Sequence, residues 1–140
     1  MEEPRWGAEL RTLATGLPPG APFAAVLVDL AGSGTVYASG GDPAQLLRSS
    51  DGGATWTALP WESRFGLPTS LALDRQQPGC LYAGLLPLAA GQSCDGGATW
   101  TWLRAGLEAA VAVRQVVVDP DAAGTLYVAA ELLWPYSGGP

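Results

Sequence analysis

Three segments of the chain superimpose at one spacing: VLVDLAGSGTVYASG from Val26, LALDRQQPGCLYAGL from Leu71 and VVVDPDAAGTLYVAA from Val116. Asp29, Asp74 and Asp119 recur every 45 residues, and so do Tyr37, Tyr82 and Tyr127. A period of about 40 to 50 residues marks stacked supersecondary units, none of which buries its apolar face alone. Each segment reads as an apolar strand, an Asp-led turn rich in Gly or Pro, and a second strand carrying Leu/Val-Tyr.

A second device follows two of these hairpins. SSDGGATW at 49–56 returns as SCDGGATW at 93–100. Each copy predicts a strand, a tight Asp-Gly-Gly turn and another strand. A complete unit is therefore four short antiparallel strands, A to D. Nineteen glycines and twelve prolines in 140 residues fit a chain of many turns and few helices. At the N-terminus, WGAELRTLATGLP from Trp6 aligns without gaps on WTALPWESRFGLP from Trp56, as an isolated strand D with its exit loop. The expected division is a partial unit at 1–19, complete units at 20–64 and 65–108, and a partial third unit at 109–140, in which no strand C is evident.

The octapeptides match the Asp-box pattern, Ser/Thr-x-Asp-x-Gly-x-Thr-Trp/Phe, and the chain resembles the bacterial neuraminidase repeat from about residue 20 to 130. Propellers of the sialidase, xyloglucanase, sortilin and photosystem-assembly types share that repeat. The resemblance implies an all-β fold, a partial β-propeller of about three four-stranded antiparallel blades with Asp-box turns. It implies no single activity, because function resides in sites grafted onto a fold.

Each residue of the box has an expected structural task. Asp51 and Asp95 accept hydrogen bonds across the turn, and Ser49 and Ser93 tie the incoming strand to it. Gly53 and Gly97, with Gly52 and Gly96 before them, supply positive φ. Thr55 and Thr99 open the outgoing strand. Trp56 and Trp100 are expected to pack between sheets, each burying on the order of 150–250 Å². The rival reading, a catalytic pair of Asp51 and Asp95, puts the carboxylates on neighbouring blades, farther apart than the roughly 5–9.5 Å that glycosidase pairs require.

A net charge of −6, with seven scattered arginines and no basic run, disfavours nucleic acid and anionic membrane as partners. The absence of His and Lys removes imidazole bases, His metal ligands and Schiff-base lysines. No cofactor and no metal site is expected. MEEPRWGAEL is not a secretory signal, so the chain as written reads as cytoplasmic, and as extracytoplasmic if it is part of a longer protein. Cys80 and Cys94 fall near each other on strands B and C of the second unit. The expectation for a cytosolic chain is two unpaired thiols, with a disulfide as the alternative.

Three blades do not close a ring, which typically needs about four to eight. A fragment or remnant of a longer propeller, a homodimer closing six blades and an open stack all remain, the first being favoured. The A–B turns and box turns are expected on one face. The B–C and D–A connections lie on the other, where the resemblance places function. The candidate ligand loop there carries Trp61, Glu62, Arg64 and Phe65, with covering of the blade edge as the plainer role. Trp134 and Tyr136 offer an interface anchor or a cut edge. The expected function is a non-enzymatic scaffold or surface for another protein, a second copy or a glycan. The alternative is a fragment of a sialidase- or xyloglucanase-like hydrolase whose catalytic residues lie on other blades.

Overall fold

The computed structural model describes residues 23–41, 43–62, 65–86, 90–104, 107 and 110–132. Within them the chain forms ten strands and no α-helix. No helix among the described residues is long and apolar enough to cross a membrane. The N-terminal strand D expected before residue 20, Arg64, Trp134 and Tyr136 lie outside the described residues.

The first sheet is a meander of β1 (Phe23–Val28), β2 (Val36–Gly40), β3 (Gln45–Ser49) and β4 (Thr57–Ala58). The second repeats it with β5 (Leu67–Leu73), β6 (Leu81–Leu86), β7 (Ala90–Ser93) and β8 (Thr101–Leu103). The third consists of β9 (Ala110–Val118) paired with β10 (Leu126–Leu132). All pairings are antiparallel.

The repeat extends to an irregularity. The register of the first two strands slips between Phe23 and Ala25 in the first sheet and between Pro68 and Ser70 in the second. In the third it slips between Val113 and Gln115. One extra residue therefore occupies the same repeat position three times, as Ala24, Thr69 and Arg114. A bulge of this kind bends the strand and re-aims its side chains. Thr69 accordingly donates through Oγ1 to the Val113 carbonyl at 2.6 Å, fastening the second sheet to the third.

The sheets stack face to face. Strand β1 packs on β5, and β5 packs on β9, so the first strand of each sheet meets the first strand of the next. Between the first two sheets lies a cluster of Tyr37, Leu46, Leu71, Leu81, Ala83 and Leu85. Between the second and third lies one of Ala72, Tyr82, Val113 and Val116. The middle sheet is covered on both faces, which is why β6 is a continuous apolar run, LYAGLL, and not an alternating one. Glycine sets the spacing at one contact. A Cβ on Gly84 would sit 2.7 Å from Val113 Cγ1, so only a residue without a side chain lets the third sheet approach this closely.

The unpaired thiols expected above are not what the structure shows. Cys80 and Cys94 form a disulfide. The reason is the ladder: Leu81 pairs with Ser93, so the next residues outward face each other across the β6–β7 hairpin.

Candidate functional site

The octapeptide turns are two nearly identical hydrogen-bonded cages. Asp51 Oδ1 accepts from Ser49 Oγ at 2.7 Å and from the Thr55 amide at 2.9 Å, and its Oδ2 accepts from the Thr55 hydroxyl. The Ser49 hydroxyl in turn accepts from the Gly53 amide at 2.8 Å. Asp95 repeats these bonds with Ser93 and Thr99, and the Gly97 amide donates to Ser93 Oγ at 2.9 Å. The glycines at 52, 53, 96 and 97 all have positive φ, between 72° and 93°. Trp56 and Trp100 close each cage by donating from Nε1 to the carbonyls of Gly53 and Gly97.

Asp51 and Asp95 are both held at a pKa of about 2, against an ordinary value of 3.8. The bonds from the Thr55 and Thr99 hydroxyls contribute most, followed by the threonine amides and the serine hydroxyls. All these donors favour the ionised form. A general acid needs a raised pKa, so this pair is unsuited to protonating a leaving group.

The box turns lie beside the Asp-led turns, as the strand reading expected: Gly52 N donates to Gly34 O at 2.8 Å and Gly96 N to Gly79 O at 3.2 Å. Asp29, Asp74 and Asp119 each accept from the amide two residues on, at 2.9 Å. These are Asx-type turns.

The two tryptophans have different surroundings. Trp100 packs into the core between the first and second sheets. Trp56, expected in an equivalent contact, is half-buried beside Phe23, Val26 and Ala38 at a recess of about 340 Å³ on the outer side of the first sheet. No described sheet stands there to cover it.

Two rings of the candidate ligand loop, Trp61 and Phe65, turn inward. Trp61 meets Trp100 edge-on at 5.3 Å between ring centroids and Trp102 at 6.0 Å, while Phe65 lies 4.5 Å from Trp102. Trp61 Nε1 donates to the Gly66 carbonyl at 3.1 Å. Gly91 allows this cluster, because a Cβ there would fall 2.8 Å from the Trp102 ring. Trp61 and Phe65 thus cement two sheets, while Glu62 is exposed.

A cleft of about 450 Å³ lies where the first strands of the three sheets meet the Asp-led turns of the first two. Leu27, Val28, Leu71, Leu73, Val116 and Val118 supply its apolar wall, and Asp29, Asp74 and Arg75 its polar groups. Asp74 is 3% exposed, and its Oδ2 accepts from the Gly124 amide of the third sheet at 3.0 Å. Arg75 is exposed and can reach a ligand. The face expected above to carry a ligand is the opposite one. The 45-residue period carries a usable signal for this cleft, since it puts Asp29 and Asp74 at the same place in neighbouring sheets, but it does not reveal which face stays open. No group of His, Cys, Asp or Glu among the described residues could hold a metal ion.

No family model and no curated protein matches the chain. Solved structures do. A GH74 enzyme of Niastella koreensis superimposes with a TM-score of 0.64 at 22% identity, over 77% of this chain and 19% of that one. A GH74 xyloglucanase of Xanthomonas campestris superimposes with a TM-score of 0.59 at 25% identity, over 77% of this chain and 20% of that one. Both are β-propeller enzymes. The chain is a partial β-propeller. It spans about a fifth of the length of the propeller enzymes it matches, and its three sheets are blades.

Proposed function

We propose that this propeller segment is a non-catalytic scaffold that offers a binding surface to another protein or to a glycan, and that its octapeptides are Asp-boxes of the neuraminidase-repeat type. One observation carries the reading: the carboxylates of the octapeptides and of the cleft are occupied in turns. Asp51 and Asp95 are caged, Asp74 is bonded on both oxygens, and Asp29 accepts from the Ala31 amide and from Ser33 Oγ. None of these is a free base beside a free acid. The cleft, with an apolar wall and Arg75, is the described surface that suits a ligand better than the Trp61 loop does. The Cys80–Cys94 disulfide favours an extracytoplasmic location.

A second reading, a piece of a glycoside hydrolase of xyloglucanase or sialidase type, is favoured by the two GH74 neighbours. One experiment separates the readings. Titration calorimetry with xyloglucan oligosaccharides and a reducing-end assay should give binding without hydrolysis, weakened at least tenfold by Arg75→Ala. Release of reducing ends would overturn the scaffold reading.

A further inference from the structure

The blade repeat makes each open face of the stack comparable, position by position, with a closed one. Val26 corresponds to Leu71 and Trp56 to Trp100 on the leading face, the side each blade turns toward its predecessor. Leu71 is 9% exposed beneath the first blade, whereas Val26 is 68% exposed. On the trailing face, Tyr37 and Tyr82 are 4% and 2% exposed because a following blade covers each, whereas the equivalent Tyr127 is 60% exposed. Among the described residues, therefore, no blade stands before the first or after the third, and the chain carries both halves of such a contact.

We propose that a second copy of this chain docks head to tail, placing the trailing face of its third blade on the leading face of the first, and that two such contacts close a six-bladed ring. Three observations point to a second copy as occupant. The contact continues the interface already built between the first two blades, where Tyr37 packs in the same cluster as Leu71, Ala83 and Trp100. The recess lined by Phe23, Val26, Ala38 and Trp56 is the equivalent site, empty of an aromatic ring, and Tyr127 is the equivalent ring, exposed. The box turns report the same difference: a Cβ on Gly96 would lie 3.7 Å from the Tyr37 hydroxyl, and a Cβ on the equivalent Gly52 would meet nothing within 4 Å. The described residues hold three blades. Two copies bring six blades, within the range of about four to eight that closes, and three copies overshoot it. Such heterologous contacts close only when the rotation permits, and otherwise polymerise.

The inference rests on the propeller fold and not on the binding reading above. Its test is sedimentation velocity on the wild-type chain and on Val26→Glu and Tyr127→Glu, whose sites are exposed. Wild type should sediment at twice the chain mass, and each variant alone as a monomer. An equimolar mixture of the two should recover a two-chain species, because each variant retains the face that the other lacks. A monomeric wild type would overturn the proposal and assign the faces to further blades of a longer chain or to another protein. Loss of the dimer in Val26→Glu but not in Tyr127→Glu would overturn it in favour of a symmetric contact. Polymers that lengthen with concentration would overturn closure at two copies. Should circular dichroism show either glutamate variant unfolded, the milder pair Val26→Thr and Tyr127→Ser replaces it under the same criteria, with at least a tenfold weakening of the dimer expected in each.

Discussion

A single aspartate shows how much of each hairpin depends on charge. Asp95 is ionised inside a set of donors that suit only the ionised form, with a pKa of about 2 in the fold against an ordinary 3.8. The folded state therefore binds its proton less readily than the unfolded chain does. The stabilisation is complete above about pH 4 and is lost as the pH falls through 2. Thermal melts of the wild type should decline over that window, and melts of the double variant Asp51→Asn, Asp95→Asn should start lower and decline less. Equal slopes for the two proteins would contradict the cage. This part of the structure was legible in the sequence, because Ser, Asp, Gly, Thr and Trp at fixed offsets leave few ways to satisfy a tight turn. The different fates of Trp56 and Trp100 were not legible: their local sequences agree almost completely, and the difference comes from what stands on the other side.

The elements owe their stability to what they are packed between. Trp100 lies in an interblade core and Trp56 at an open recess. Trp100→Ala should cost about 3–5 kcal/mol in urea unfolding, and Trp56→Ala measurably less in the monomer. Equal costs would mean that Trp56 is covered in solution by something other than the described blades. The β6–β7 hairpin is also clamped by the Cys80–Cys94 bridge, whose sequence separation is 14. Closing a loop of that length contributes about 3 kcal/mol in the chain-entropy model, so a reduced sample or Cys80→Ser should melt several degrees lower. The strand order and the hairpin turns could be read from apolar runs and Asp-Gly pairs. The bulges at Ala24, Thr69 and Arg114 could not, because nothing in their side chains marks an extra residue; the position is defined by register alone.

For the whole molecule, cooperativity should grade along the stack. The middle blade is covered on both faces, whereas the third has two described strands and one open face. A two-stranded hairpin is marginal without a supporting layer. Native-state hydrogen exchange should therefore show residues 110–132 opening at lower free energy than residues 67–103. Gly84→Ala, which drives a Cβ toward Val113 Cγ1, should widen that gap, and uniform protection in the variant would refute the graded stack. The fold class followed from the period and its turns. The cleft did not, since its walls come from β1, β5 and β9, which meet only once the blades are stacked.

The lengths of the boundary strands carry one more consequence. The outermost strands of the complete blades are β4, with two residues, and β8, with three, too short to template pairing with a foreign chain. Strand β10 is seven residues long and pairs only with β9 among the described residues. Of the outer strands described, Leu126–Leu132 is thus the one long enough to template pairing with a foreign chain, and a charge or a proline on its unpaired side is the change expected to lower aggregation.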